Sequence, residues 1–366
     1  MEGYAPLSDI KILDLSALLP GPYCTMLLAA MGAQVLKVEN PRGGDLMRRM
    51  SPGSFEYLNC QKELISLDLK SSRGRDLFLS LASECQVLVE GFRPGVADRL
   101  GVDFDSVAAA VPGIIYCSIS GYGQDGPYKD LPGHDLNYMG LTGVLSISGD
   151  PNSGRPEFPS GPQYSDLAGS LFAVNAILAA LIGQGKSREA RWLDVSIAEA
   201  TGMLIMPRYL EYLERGKPSK EAFMARGPYG VFQTLDGKYL TLGIVEDHFW
   251  VNFCRAAGLE ELAVDPELQG WQARNRHAAR VKPILERVFQ TRSREDWLKT
   301  LIAADVPVAP LHDLDQWAQD PQLLARGFFG PGQEEKLFAS LPHFPVPAME
   351  KRGKGLRCYP FRVQVR

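Results

Sequence analysis

The sequence predicts an α/β protein with a Rossmann-like, doubly wound parallel sheet and a smaller α/β unit after it. Three observations support this. Over residues 1–214, short runs rich in Ile and Val alternate with helical patterns, as in repeated β-α-β units. From residue 230 two alternating runs flank an Asp-Gly pair, which reads as an antiparallel hairpin. At 366 residues the chain is too long for one ordinary core.

The elements follow in order. IKILDLS is a strand, a helix covers about 21–32, and QVLKVEN and LISLDLK are the next strands. After a further helix come the strands CQVLVEG and GIIYCSIS, apolar enough to be buried on both faces. An irregular stretch leads to an apolar helix over 166–183, the strand RWLDVSI and a helix to about 214. Leu167, Leu171, Val174, Leu178 and Leu181 are expected on the buried face of the 166–183 helix. Residues 215–229 are polar with Gly and Pro and read as a linker. A small domain spans 230–325, opening with the hairpin GVFQTLDGKYLTLGIV, followed by helices near 247–257, 276–290 and 293–305. From 326 to 366 regular pattern is lost.

The composition excludes several function classes. A net charge of -4 and a pI near 5.8 leave no general basic footprint for nucleic acid. The N-terminus lacks a signal-peptide pattern, and no run reaches the roughly 18 apolar residues of a membrane span, so no membrane partner is expected. Six cysteines without a CxxC pair read as reduced thiols and place the chain in the cytoplasm. Five histidines, none at ligand spacing with another His or Cys, give no support for a metal site.

Several residues stand where chemistry is possible. Gly121, Gly123 and Gly126 match GxGxxG after a strand, but Pro127 and Pro132 follow where a dinucleotide fingerprint needs a helix. His134, in the loop Pro132-Gly133-His134-Asp135, is either a candidate acid or base or a loop histidine bonded to a neighbouring carbonyl. Asp166 opens an apolar helix and is either its cap or a carboxylate held ready as base or nucleophile. Glu246, after the second hairpin strand, is either an acidic first turn or a functional group. Arg42, Arg48, Arg49, Lys62 and Arg93 either grip phosphates or simply solvate the surface.

In order along the chain, LDLSALLPGPYCTMLLAAMGAQVLKVENPRGGD, YLNCQKELISLDLK, VLVEGFRPGVADRLGV, SISGYGQDGPYKDLPGHDLNYMGLTGVL, SDLAGSLFAVNAILAAL and GVFQTLDGKYLTLG resemble the family III CoA-transferase superfamily, of the CaiB/BaiF type. The resemblance covers residue 8 to about 330 and is nearest the α-methylacyl-CoA racemase branch. It implies an interlocked homodimer, an acyl-CoA thioester as partner, and coenzyme A as part of the substrate, with no prosthetic group. It gives Arg42, Lys62 and Arg93 a purpose as partners of the CoA phosphates. Asp166 matches the family's carboxylate, a nucleophile in the transferases and a proton-transfer group in the racemases. The racemases add a histidine and a glutamate, present here as His134 and Glu246, and the pair favours a 2-methylacyl-CoA racemase.

Inverting a carbon next to a thioester needs a base on one face, an acid on the other and a stabilised enolate. By the resemblance, Asp166 serves one face and His134, oriented by Glu246, the other. The alternative is a CoA-transferase working through an aspartyl-CoA thioester on Asp166. A non-catalytic acyl-CoA-binding module is a third reading, disfavoured by the presence of all three residues. The family's Pro-Ala-Pro and Gly-Glu-His-Thr ending is replaced by FPVPAMEKRGKGLRCYPFRVQVR, in the expected return segment to the large domain.

Overall fold

A computed structural model describes residues 5–151, 155–184, 189–326 and 328–329. The chain divides into two compact units. The first holds Met1–Ser146 and Phe158–Leu210, and the second Ile147–Glu157 and Glu211–Ala318. The described residues from Gln319 onward belong with the first. The expected return segment, 326–366, lies outside the described residues beyond its first positions.

The first unit is a six-stranded sheet of β1 (Lys11–Asp14), β2 (Gln34–Glu39), β3 (Lys62–Ser66), β4 (Val87–Glu90), β5 (Ile115–Ser120) and β6 (Arg191–Ser196). Its order is β3-β2-β1-β4-β5-β6, and every pair is parallel. All of β4 and β5 is buried, which is why VLVE and IYCSIS run apolar without alternation. Helices Pro20–Ala30 and Tyr164–Gly183 help cover one face and Ser72–Ala82 and Phe104–Ala110 the other. Strand order reverses between β1 and β4, so the loops leaving their carboxyl ends diverge. A crevice opens there, the usual ligand position in such sheets.

The helix Tyr164–Gly183 departs from expectation in three ways. It begins two residues before Asp166. Its buried residues are mostly small, including Ala168, Gly169, Ser170, Ala173 and Ala180, while Leu171 is 44% exposed. Close approach is the reason at one position, where a Cβ on Gly169 would sit 2.8 Å from Ile197 Cγ1, while Val174 is buried as expected and Leu178 and Leu181 pack partly buried against the core. It is also long and apolar enough to cross a membrane by composition, against the sequence reading, yet its small-residue face is spent on the core of this unit.

The second unit has an antiparallel sheet of β7 (Tyr229–Gln233), β8 (Tyr239–Gly243) and β9 (Val308–Pro310), in that order. The Asp236-Gly237 turn forms as its sequence requires, with Gly237 at φ 74°. Phe232, Trp250, Phe253, Phe289 and Trp297 fill the core beneath the helices Asp247–Ala257, Ala278–Phe289 and Arg294–Ala303. Within 215–229, expected as a linker, Ser219 caps the short helix Lys220–Met224 and Phe223 is buried.

Candidate active site

At the carboxyl end of β1 the chain buries charge. Asp14 is fully buried and accepts from Ser16 N (2.9 Å), Ser16 Oγ (2.5 Å), Thr25 Oγ1 (2.6 Å) and Lys62 Nζ (3.1 Å). Burial would raise its pKa, but the Lys62 and Lys37 ammoniums and the two hydroxyls overcome this and hold it well below the usual carboxylate range. Lys37 Nζ donates to Ser16 O at 2.7 Å and lies 3.1 Å from Asp45 Oδ2, and Asp45 Oδ1 in turn accepts from Leu18 N at 3.0 Å. These bonds hold Leu18 at φ 64°, a left-handed conformation unusual for a leucine.

The network corrects the role expected of Lys62. Its side chain is fully buried, and its amino group donates to Asp14 and, at 2.9 Å, to Pro22 O. A phosphate outside the strand ends has no access to it, because the core has claimed its charge.

Beside this loop lies a cavity of about 340 Å³, lined at the strand ends by Ser16, Ala17, Asn40, Asp68, Lys70 and Phe92 among others. Arg42 is exposed two residues beyond Asn40, whose Oδ1 accepts from Arg42 N at 2.8 Å. Arg93 is exposed one residue beyond Phe92. Arg48, by contrast, is spent on both oxygens of Glu39 at 3.0 Å each and lies over the Phe55 ring at 3.9 Å.

Asp166 and the His134 loop meet through a residue that sequence reasoning passed over. Asp135, 5% exposed, sends its carboxylate to the start of the Asp166 helix, where Oδ1 accepts from Ser165 N at 2.6 Å and Asp166 N at 3.4 Å. The first turn is therefore capped from 30 residues away and not by Asp166, which frees the Asp166 carboxylate from that duty. Burial, reinforced by the charge of Asp135, pushes the Asp166 carboxyl up to about 7. His134 is the exposed residue before the Asp135–Leu141 helix, its N–H donating to Asn137 Oδ1 at 3.0 Å.

Two glycines earn their place by letting Tyr138 into this corner. A Cβ on Gly121 would lie 2.5 Å from Tyr138 Oη, and one on Gly133 would lie 2.7 Å from Tyr138 Cε1. The Tyr138 hydroxyl is raised by burial and by the nearby Asp166, against an opposing effect of Arg93, so these groups share one neighbourhood. A signal for both missed residues was available: Asp135 and Tyr138 sit one and four positions after His134, which drew attention.

Glu246 belongs to the second unit, where it is the exposed residue preceding the Asp247–Ala257 helix. Its turn is held by the fully buried Arg274, which donates to Val245 O at 2.7 Å and to Asp247 Oδ1 at 2.6 Å.

The sequence profile of CoA-transferase family III matches residues 7–358. The chain belongs to CoA-transferase family III. It is similar to the succinate–glutarate CoA-transferase of Agrobacterium fabrum, at 32% identity over 88% of this chain and 84% of the relative. It is also 32% identical to the acetyl-CoA:oxalate CoA-transferase of Acetobacter aceti, over 96% of this chain and 95% of the relative. A crystal structure of a CaiB/BaiF family protein from Brucella suis superposes with a TM-score of 0.78 at 30% identity, covering 90% of this chain and 89% of that one. Relatives named for CoA transfer favour the transferase alternative over the racemase first expected from His134 and Glu246.

Proposed function

We propose that this enzyme moves CoA between carboxylic acids through a covalent intermediate on Asp166. The observation that carries the proposal is the Asp166 carboxyl itself, raised to about 7 at a helix start and relieved of capping duty by Asp135. A carboxylate that is costly to ionise is a better nucleophile once ionised, and its work must be done in a site of that kind.

The steps balance without a metal or redox partner. An Asp166 oxygen attacks the thioester carbonyl, the C–S bond breaks, and the electron pair leaves on the CoA sulfur. The product is a mixed anhydride. The thiolate then attacks the Asp166 carbonyl, releasing the first acid as its carboxylate and leaving an aspartyl-CoA thioester. An acceptor carboxylate attacks that carbonyl, expels the thiolate and forms the second anhydride. Attack by the thiolate on the acyl side gives the new acyl-CoA and frees Asp166. The N–H groups at the helix start near Asp166 are suited to meet the oxyanions of these steps.

In this reading the nucleotide of CoA occupies the strand-end cavity, with Arg42 and Arg93 beside its phosphates. The acids are short dicarboxylates, by analogy with relatives named for succinate, glutarate and oxalate. We further infer an interlocked homodimer, supported by the apolar side chains that this chain leaves exposed on two helices, Leu171, Ile182, Met203, Leu204 and Leu210.

The test mixes succinyl-CoA with glutarate. Wild-type protein should form glutaryl-CoA, and hydroxylamine should trap an adduct on Asp166. Asp166→Asn should abolish transfer, while His134→Ala should keep most of it. A wild-type protein that forms no adduct yet exchanges the α-hydrogen of a 2-methylacyl-CoA with heavy water would overturn the proposal in favour of racemisation.

A further inference from the structure

The Asp135 carboxylate has no role in the steps above, yet its position is costly. It is 95% removed from solvent by its 5% exposure, and its Oδ2 has no hydrogen-bond partner. No Lys, Arg or His pairs with it among the described residues. A buried carboxylate in that state destabilises the fold unless something else is gained. The two N–H groups it meets, Ser165 N and Asp166 N, open the helix that carries the nucleophile.

We propose that Asp135 is the positioning residue of the nucleophile: one oxygen fixes the first turn of the Asp166 helix while its unpaired negative charge raises the energy of the Asp166 carboxylate before attack. The inference deepens the transferase reading and rests on it. When the Asp166 oxygen bonds to the acyl carbon, the negative charge passes to the departing sulfur, so repulsion by Asp135 is relieved as the anhydride forms. A neutral cap would hold the turn equally well and contribute none of this.

The groups facing Asp166 set the balance. Asp135 and Tyr138 come from the Asp135–Leu141 helix, and Tyr138 in turn is influenced by Tyr122, from the loop after β5, and Arg93, from the loop after β4. Of these, only Asp135 acts directly on the Asp166 carboxyl beyond burial, in the raising direction. Arg93 acts on Tyr138 and is absent from the influences on Asp166.

The test reads Asp166 directly. Full-length protein carrying ¹³C at the aspartate carboxyl carbons is titrated by NMR, the Asp166 signal being assigned by its loss in Asp166→Asn. Asp135→Asn keeps an oxygen for the two N–H groups and removes the charge, so the Asp166 midpoint should fall by about one pH unit or more at an effective dielectric near 20. The acid limb of kcat/KM for CoA transfer should move by the same amount. At pH 8 kcat should drop several-fold with KM for the CoA ester little changed.

Asp135→Ala should lose the cap as well and melt earlier, which separates positioning from charge. An unchanged Asp166 midpoint in a folded Asp135→Asn protein overturns the inference. Should that variant not fold, Asp135→Ser, which keeps an oxygen for the cap without the charge, is titrated instead, and an unchanged Asp166 midpoint there overturns the inference equally. Failure of the underlying reading is seen separately, as CoA transfer surviving in Asp166→Asn, since the titration needs no turnover.

Discussion

Replacing Lys62 with methionine tests whether the buried charge network, and not ligand binding, is this residue's purpose. At 3.1 Å and an effective dielectric of about 20, the attraction between Lys62 and Asp14 is about 5 kcal/mol. Part of that offsets the desolvation of both groups. Removing one partner leaves Asp14 charged in the core with only Lys37 and two hydroxyls in support, so Lys62→Met should cost about 3–5 kcal/mol. Because Asp14 is held below its ordinary pKa, this contribution is present above about pH 4 and is lost as the pH falls through the lowered folded value. The unit's stability should be read by hydrogen exchange of the β1 and β3 amides in rising denaturant, because a two-unit chain need not unfold in one step. Asp14→Asn and the double variant complete a cycle whose coupling should exceed about 1 kcal/mol. A loss below about 1 kcal/mol, together with weakened CoA binding, would refute this account and return Lys62 to the phosphate role.

Four further outcomes are expected. With Asp166 raised to about 7, kcat/KM for CoA transfer should climb with pH through that value, since attack needs the carboxylate; a flat profile from pH 5 to 8 would contradict it. The same shift makes the folded protein favour protonated Asp166, an advantage present below about pH 4 and lost as pH rises through about 7. At pH 8, therefore, Asp166→Asn should melt higher, by about 1–2 kcal/mol, while losing activity. Gly121→Ala drives a methyl to 2.5 Å from Tyr138 Oη and should destabilise the first unit by about 1–3 kcal/mol, measured by thermal unfolding. Arg274→Met empties the brace of the β8 turn and should cost about 3 kcal/mol of second-unit stability, followed by tryptophan fluorescence; no change would show that the Val245 and Asp247 contacts are idle.

Legibility differed sharply between elements. β4 and β5 were readable because strands buried on both faces must be apolar throughout, and the Asp-Gly turn of the second unit was readable because its backbone conformation selects glycine. β9 was not, since Val308–Pro310 is three residues long and ends on proline, the signature of a loop until β8 pairs with it. The inward face of the Tyr164–Gly183 helix was legible only in part, since Val174 is buried as expected but Leu171 is exposed, and the neighbouring Ile197 leaves space only for glycine at position 169. Asp166 and His134 were singled out as candidates by residue type and setting. Asp135 was not singled out, because its bonds reach 30 residues along the chain.

By itself the sequence determined the order of strands and helices, the change of grammar near residue 230, and the family to which the chain belongs, because these depend on patterns local in the chain or on blocks compared in order. Only the tertiary structure decided which charges are free. Lys62 and Arg93 look alike in the sequence, yet one amino group lies 3.1 Å from a buried carboxylate and the other side chain is exposed. It also decided the character of Asp166, whose raised pKa comes from burial and from a carboxylate on another helix. Charge interactions act through space with a strength set by distance and local dielectric, and neither quantity is written in the order of residues.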